Sequence, residues 1–370
     1  SYMYSLPKNV RSRTINNVNG LSMHILEAGY ESTERPTLLL LHGFPELSYS
    51  WRKVILPLTS AGYHVIAPDQ RGYGLTSGWK NNYDGDISEY FITNIVQDVI
   101  SLLYSLQKKT IQCVIGHDFG SFVAAYCSLL RPDIFKSVIL MSAPFSGPPK
   151  ISNFYEKKDN IHEELKNLIP ARKHYQWYFS EKEANDNMLY CSQGLHNFLR
   201  AYYHFKSADW KNNKPFKLDT WSASNLEKLP RYYIMDAEMG MAETVEKYMP
   251  TKKEINNCEW LSESELSYYT QIYKKTGFQG GLNWYRCMVD NNYLKRLQLY
   301  SGLTINIPSY FMAGASDWGI YQKPGSFEEM YERACSSMKK PVLIKGAGHW
   351  VQQEKPKETV NNILSFIKNL

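Results

Sequence analysis

The sequence predicts an α/β protein with a mainly parallel central sheet, flanked by helices and interrupted by a helical insertion. Short continuous apolar runs alternate with longer segments whose apolar residues recur at helical spacing, a pattern typical of strands buried on both faces of a parallel sheet. This alternation stops after Pro144 and resumes near Ile305. The chain has 370 residues, of which 43% are hydrophobic, so it can bury a sizeable core.

Six apolar runs bounded by turn residues are the predicted strands. In chain order they cover residues 37–43, 63–69, 111–118, 137–144, 307–314 and 341–349. The opening part of the chain, with residues 20–29, is expected to add one or two antiparallel strands at the sheet edge. Apolar periodicity predicts helices over 87–107, over 120–132, where Arg131-Pro132 ends the helix, and over 354–370.

The segment after Pro144 lacks strand-like runs and is interpreted as helices and loops. We therefore expect residues 1–144 and 301–370 to form the core, and residues 145–300 to form a helical cap inserted after the fourth run. The polar stretch 242–266 within this cap is interpreted either as a surface excursion or as part of an entrance.

Composition narrows the class of protein. The net charge of +6 arises from 42 basic and 36 acidic residues without a concentrated patch, which argues against nucleic-acid binding. Six cysteines lack C-x-x-C spacing and are interpreted as free thiols. No apolar stretch is long enough to cross a bilayer. We expect a cytoplasmic protein, either a monomer or a homodimer, unless a signal upstream of Ser1 has been removed.

The most informative stretch is "VIGHDFGSFVAAY", residues 114–126. An apolar strand ends in a Gly116-x-Asp118-x-Gly120 turn and leads straight into a helix, which is the arrangement in which hydrolases present a nucleophile. The helix N-terminus would favour an ionised Asp118. The alternative is an ordinary N-cap aspartate, a role that this residue type also favours.

Two further residues follow strands on the same predicted sheet edge. Asp317 lies in the loop after the run 307–314, and His349 follows two glycines after the last run. A nucleophile needs a base, and the base needs an orienting group. The order Asp118, Asp317, His349 is that of nucleophile, acid and base on such a sheet. A turn aspartate and a solvated or core histidine are the alternatives.

Backbone N–H groups near this edge could stabilise an oxyanion. Phe44 follows the tight His42-Gly43 turn, and Phe119 follows the predicted nucleophile, so both N–H groups could point at one site. A plain turn before a helix would also explain the first motif. Asp69 and Arg71 are expected to pair and to shape their loop.

At these residues the chain resembles α/β-hydrolases of the epoxide hydrolase type. The matching motifs are "HGFPE", "PDQRGYG", "GHDFG", the Asp317 loop and "GHW", which span residues 40 to 350. "HYQWYF" (174–179) and "LNWYR" (282–286) resemble the two lid-tyrosine segments of that family. The resemblance implies that Tyr175 and Tyr285 hydrogen-bond the epoxide oxygen, with Tyr178 as an alternative to Tyr175.

The implied reaction adds water to a lipophilic epoxide through an ester on Asp118 and needs no metal or other cofactor. An aspartyl ester on a saturated carbon can be hydrolysed, whereas a seryl ether would resist water. No G-x-G-x-x-G after a strand, G-x-x-x-x-G-K-[ST] or H-E-x-x-H occurs in the sequence. The expected substrate pocket includes Trp177 and Trp284, which adjoin the two phenols, together with Pro45 and Trp350.

Three other functions remain as alternatives. A dehalogenase on the same scaffold would share Asp118, but such enzymes typically hold the halide with a tryptophan beside the nucleophile, where this chain has Phe119. A serine esterase would need Ser121, which lies within the predicted helix. A non-catalytic ligand-binding protein could keep the pocket, but the combination of Asp118, Asp317 and His349 argues against it.

Overall fold

The computed structural model describes residues 6–151 and 159–370. Its strands are β1 (Arg11–Val18), β2 (Leu21–Ala28), β3 (Thr37–Leu41), β4 (His64–Pro68), β5 (Cys113–His117), β6 (Val138–Met141), β7 (Arg172–His174), β8 (Ile234–Asp236), β9 (Ser309–Gly314) and β10 (Val342–Ile344). Eight of them form one central sheet in the order β1-β2-β4-β3-β5-β6-β9-β10.

The central sheet is mainly parallel, as predicted. β1 pairs antiparallel with β2, and β2 pairs antiparallel with β4, while the pairs from β4 to β10 are parallel. Each of the six apolar runs contains one strand of the sheet. The opening segment supplies two antiparallel strands at the edge, where one or two were expected.

Side chains of the sheet alternate between two apolar clusters. In β3, Leu38 and Leu40 pack into one cluster, and Leu39 and Leu41 pack into the other. All four are fully buried. Successive side chains of a strand point to opposite faces, so a strand covered on both sides must be apolar throughout. This is why a continuous run, rather than an alternating one, marks these strands.

Sixteen α-helices lie among the described residues. They are α1 (Ile55–Ser60), α2 (Ile92–Ser105), α3 (Phe119–Leu130), α4 (Ile161–Lys166), α5 (Tyr175–Phe179), α6 (Ala184–Leu189), α7 (Leu195–Lys206), α8 (Ala223–Leu226), α9 (Met241–Glu246), α10 (Lys252–Asn256), α11 (Glu263–Thr276), α12 (Gln279–Val289), α13 (Asn291–Leu297), α14 (Ser326–Glu329), α15 (Val351–Glu354) and α16 (Pro356–Lys368). Within the described parts of the chain, no helix combines the length and apolarity needed to cross a membrane.

Helices α4 to α13 all lie between β6 and β9, so the insertion follows the fourth of the six apolar runs as expected. The segment is not purely helical, however. β7 and β8 form a separate antiparallel pair in which Lys173 stands opposite Met235. β7 consists of Arg172, Lys173 and His174 and so has no apolar run, which is why the sequence did not reveal this pair.

The loop that follows β4 differs from expectation in its ion pairs. Asp69 pairs with His24, with 2.7 Å between Oδ2 and Nδ1, and not with Arg71. Arg71 instead donates to Asp98 and Glu89. The two side chains are close in sequence, but the loop turns them to different sides, so each finds a partner from another element.

Candidate active site

The turn between β5 and α3 presents Asp118 in a strained conformation. Its φ of 59° and ψ of −122° lie outside the regions that non-glycine residues ordinarily occupy. The flanking glycines allow this tight turn. A Cβ atom on Gly116 would lie 1.9 Å from the Gly120 carbonyl oxygen, and one on Gly120 would lie 2.2 Å from the Leu41 carbonyl oxygen. The turn therefore lifts the Asp118 carboxylate above the ends of the strands.

The structure brings Asp118, His349 and Asp317 together. His349 Nε2 lies 3.1 Å from Asp118 Oδ1, and His349 Nδ1 lies 3.2 Å from Asp317 Oδ1. The 3.1 Å contact does not have hydrogen-bond geometry, so Nε2 is a buried nitrogen with no hydrogen-bond partner among the described residues. The Asp118 side chain is 15% exposed, whereas that of His349 is 2% exposed. Of these two side chains, only that of Asp118 is therefore accessible to solvent.

Both carboxylates are held in the ionised form. Burial raises the pKa of Asp118, but its interactions with His349 and the positive charge of Lys206 outweigh burial and place the pKa well below its usual range. Burial likewise raises the pKa of Asp317, but its interactions with His349 and a hydrogen bond from Ser142 lower it overall. An ionised Asp118 is what nucleophilic attack requires.

Ser142 is a residue of this site that sequence reasoning missed. It follows β6 with a φ of 72°, and its hydroxyl donates to Asp317 Oδ2 at 2.5 Å. The same oxygen lies 3.0 Å from His349 Nδ1, closer than Asp317 Oδ1 does. A single serine after an apolar run carries no signal of this role in the sequence.

A second buried acid–histidine pair packs against His349. His117, the last residue of β5, contacts Glu46 Oε1 through Nδ1 at 2.9 Å, and its Nε2 lies 2.6 Å from the His349 carbonyl oxygen. Burial lowers the pKa of His117, but the charge of Glu46 outweighs it and raises the pKa overall. The pair therefore holds the main chain of His349 in place. Its two members are too far apart in sequence for their contact to be predicted from it.

Of the two backbone donors expected from the sequence, one contacts the Asp118 carboxylate. The Phe44 N–H donates to Asp118 Oδ2 at 3.1 Å. Phe119 is the first residue of α3, where a backbone N–H has no carbonyl partner within the helix. This arrangement leaves Oδ2 bound to the Phe44 N–H and Oδ1 beside the histidine.

Tyr175 and Tyr285 lie opposite this carboxylate, with their ring centroids 6.1 Å apart. The Tyr175 hydroxyl donates to Gln322 Oε1 at 2.7 Å and accepts from Gln176 Nε2 at 3.1 Å. No hydrogen-bond partner for the Tyr285 hydroxyl is present in the described part of the chain. Burial, and after it the charge of Asp118, raises the pKa of both phenols above the ordinary range, so both are protonated donors.

Tyr178 points away from this group. Its hydroxyl hydrogen-bonds Asn187 Oδ1 in the neighbouring helix α6, and the residue does not line the cavity described below. The geometry thus favours Tyr175 over Tyr178 as the first of the two phenols.

A cavity of about 530 Å³ opens above Asp118, between the inserted helices and the sheet. Trp177 and Trp284 line it together with both phenols, as the sequence led us to expect. Pro45 and Trp350 are not lining residues, contrary to expectation. Trp350 is fully buried, packs against the His349 ring and donates its indole N–H to the Tyr203 carbonyl at 2.8 Å. The Pro45 carbonyl accepts from the Tyr203 hydroxyl and faces the same interior.

Other chemistries find less support in the geometry. The Ser121 hydroxyl is buried and donates to the Ala143 carbonyl at 2.7 Å, so it does not face the cavity. Within the described ranges, no group of three or more histidine, cysteine or acidic side chains is arranged to hold a metal ion.

Comparisons with known proteins identify the family of this chain. A family model of the α/β-hydrolase fold matches residues 36–356. Epoxide hydrolase A of Mycobacterium tuberculosis is 31% identical over 355 residues, which cover 95% of this chain and 96% of that protein. Epoxide hydrolase 3 of Siraitia grosvenorii has the same identity and coverage. The structure of potato (Solanum tuberosum) epoxide hydrolase I superposes with a TM-score of 0.74 at 28% identity, covering 98% of this chain and 100% of the potato chain. The chain therefore belongs to the α/β-hydrolase fold family and, within it, to the epoxide hydrolases.

Proposed function

We propose that this enzyme adds water to a lipophilic epoxide and releases a vicinal diol, through a covalent ester on Asp118. The observation that carries the proposal is the position of the ionised Asp118 carboxylate, between a buried histidine nitrogen at 3.1 Å and an apolar cavity that two protonated phenols line. In this proposal the cap, residues 145–300, supplies the phenols. The core, residues 1–144 and 301–370, supplies the carboxylates and the histidine.

In the first half of the reaction, Asp118 Oδ1 attacks a ring carbon of the epoxide. The ring C–O bond breaks, its electron pair stays on oxygen, and that oxygen takes a proton from Tyr175 or Tyr285. Oδ2 stays on the Phe44 N–H and becomes the carbonyl oxygen of the ester. Positioned acids contribute roughly 10² to 10⁴ in rate. The raised pKa of each phenol keeps the proton available at neutral pH.

In the second half, His349 Nε2 takes a proton from water, and the hydroxide attacks the Asp118 carbonyl carbon. The N–H groups of Phe44 and Phe119 stabilise the oxyanion, and one such donor is commonly worth about 3 kcal/mol. The ester C–O bond then breaks, and the leaving alkoxide takes the proton from His349. The proton left on the new Asp118 carboxyl group restores the phenol, so the diol leaves an unchanged enzyme.

The site does not favour dehalogenation. A halide would need an N–H donor beside the nucleophile, but Phe119 has none in its side chain. The Trp284 indole, which packs on Phe119 at 5.5 Å, already donates to the Arg71 carbonyl at 2.9 Å.

The covalent ester can be observed directly. Replacement of His349 by glutamine should leave attack by Asp118 intact and block hydrolysis. Intact mass spectrometry after mixing with an aryl epoxide should then show a protein heavier by one substrate mass, with the adduct on the peptide that contains residue 118.

The matched control is the double variant Asp118→Ala/His349→Gln, which should show no adduct. In a single turnover in heavy-oxygen water, the first diol from wild type should contain no solvent oxygen, because its new oxygen comes from Asp118. A labelled first diol would mean that water attacks the epoxide directly, and the covalent scheme would be wrong.

A further inference from the structure

Lys206 is a buried cation that the reaction as described does not use. It is the last residue of α7 and is 3% exposed. Four aromatic rings surround its Nζ atom at 4.9–5.5 Å from their centroids, those of Tyr202, Tyr232, Tyr233 and Trp350. Among the described residues, no carboxylate oxygen lies within 4.0 Å of this ammonium group. A lysine is rarely buried without a direct ionic partner, so its position needs an explanation.

The main chain at Lys206 contacts the loop of the catalytic histidine. The Lys206 carbonyl accepts the His349 N–H at 3.0 Å. A Cβ atom on Gly348 would lie 2.6 Å from Ala208 N and 2.8 Å from Lys206 O, so the two segments touch through their backbones. Glu354 ties them further, because it accepts from the N–H groups of Ala208, Gly348 and Trp350 at 2.8–3.0 Å. These contacts with the inserted segment therefore hold the His349 main chain in position.

The ammonium group of Lys206 lies next to the ring that packs on the catalytic histidine: its Nζ is 5.5 Å from the centroid of the Trp350 ring, and that centroid is 4.6 Å from the centroid of the His349 ring. From this position its charge acts on Asp118. It is among the interactions that lower the pKa of Asp118. In return, burial lowers the pKa of Lys206, against the opposing charges of Asp118, Asp317 and Glu46. The titratable groups that interact with Lys206, with the His349 loop or with their two carboxylates are Asp118, Asp317, Glu46, His117, Glu354, Tyr175, Tyr202, Tyr232 and Tyr233. The pKa values of these phenols are all raised above the ordinary range, and burial raises that of Glu354 to about 8.

We propose that Lys206 is a positioning residue for the hydrolytic half of the reaction: its carbonyl fixes the His349 main chain, and its ammonium group favours the return of Asp118 to the carboxylate. The inference rests on the proposed covalent mechanism. Negative charge leaves Asp118 when the ester forms and returns when the ester is hydrolysed. A fixed cation nearby therefore assists the second half. It opposes the first, because it stabilises the carboxylate that the attack consumes.

The experiment separates the two halves by single-turnover kinetics with an aryl epoxide. In Lys206→Met, the rate of ester hydrolysis should fall about 10- to 100-fold, while the rate of ester formation should not fall, so the ester accumulates. Lys214→Met, which removes an exposed lysine of the same segment, should match wild type in both rates. Because the variant removes an unpaired buried charge, its melting temperature should not fall.

The pH dependence distinguishes charge from packing. A lysine is charged below its pKa, so wild-type hydrolysis should slow as pH rises through the lowered pKa of Lys206. Lys206→Arg keeps its charge and should lose this alkaline decrease, whereas Lys206→Met should be slow at every pH. Any change that comes from Glu354 would remain in all variants.

Equal hydrolysis rates in Lys206→Met and wild type between pH 7 and 10 would overturn the inference. If the methionine variant does not fold, an alkaline decrease that persists unchanged in Lys206→Arg would overturn it equally. Failure of the proposed mechanism looks different, because then no ester would form even in His349→Gln.

Discussion

At the scale of single residues, the hydrogen bonds of Ser142 suggest how the histidine is oriented. The serine oxygen lies between Asp317 and His349 Nδ1, so it fixes the carboxylate and the imidazole ring at once. Side chains of this kind act through another residue, and their effect should appear in one step of the reaction only.

Ser142→Ala should therefore slow hydrolysis of the ester about tenfold and leave its formation nearly unchanged, because one hydrogen bond to a charged group is lost. Single-turnover rates would measure both steps. Ser128→Ala is the matched control, since Ser128 is also buried but donates to the Ala124 carbonyl within α3. An unchanged hydrolysis rate in Ser142→Ala would show that Asp317 orients the histidine alone.

The phenols make a complementary prediction. Tyr285→Phe should slow ester formation by roughly 10- to 100-fold, because one of the two proton donors to the ring oxygen is lost, and hydrolysis should be unaffected. Tyr178→Phe removes a hydroxyl that bonds Asn187 outside the cavity and should leave ester formation at the wild-type rate. The opposite ranking of these two variants would place the proton donor at Tyr178.

These residues also show the limit of sequence reasoning at the site. Asp118, Asp317 and His349 could be proposed because each follows an apolar run, and glycines flank the first and precede the last. Ser142 and Lys206 carry no such marker. Both contact His349, which lies more than 140 residues further along the chain, so only the folded chain brings them to it.

At the scale of elements, the junction between β5 and α3 explains why the fold and the site were predicted together. The continuous apolar run that specifies a buried strand ends in the glycines that allow the tight turn, so one stretch of sequence encodes both. The six long runs could be assigned because burial on both faces demands apolar residues. The pair β7–β8 could not, because β7 is polar throughout and offers no apolar run.

The edge of the sheet contains a buried charge cluster that links three strands. Glu27 of β2 accepts from Arg11 and Arg13 of β1, and it lies 2.9 Å from His64 Nε2 of β4. Burial raises the pKa of Glu27, but the hydrogen bonds from His64 and the two arginines outweigh it and lower the pKa to about 2. A carboxylate of lowered pKa stabilises the fold above its unfolded pKa and loses this contribution as pH falls.

Wild type should therefore lose roughly 1–3 kcal/mol of unfolding free energy between pH 4.5 and pH 2 through Glu27, a range that allows for solvent screening of the partly exposed arginines. Glu27→Gln should be less stable at pH 7 and should lack this part of the acid dependence. Denaturant unfolding at several pH values would measure it. Parallel curves for the two proteins below pH 4.5 would contradict the assignment.

At the scale of the whole molecule, the cap and the core are joined by hydrogen bonds that surround the site. Several cap side chains donate to backbone carbonyls of the core: Tyr203 to Pro45, Tyr273 to Glu46, Trp284 to Arg71 and Arg286 to Tyr83. In the proposed reaction, the phenols of the cap and the carboxylates of the core act on one substrate, which requires that these hydrogen bonds hold the two parts together. A substitution that breaks these contacts should therefore lower both the free energy of unfolding and the activity.

Arg52 offers the sharpest test of that coupling. It is 4% exposed and donates to Glu265 Oε2 and the Trp260 carbonyl in the cap, and to Gln353 Oε1 in the core, at 2.6–3.2 Å. Arg52→Ala should cost about 3–5 kcal/mol of unfolding free energy, because it leaves Glu265 without its main partner in a partly buried place. It should also raise KM, since the cavity lies between the two parts that the arginine joins. Arg131→Ala, which breaks an exposed pair with Asp133, should leave both the free energy of unfolding and KM nearly unchanged. Equal effects of the two variants in denaturant unfolding and steady-state kinetics would mean that Arg52 does not hold the cap and the core together.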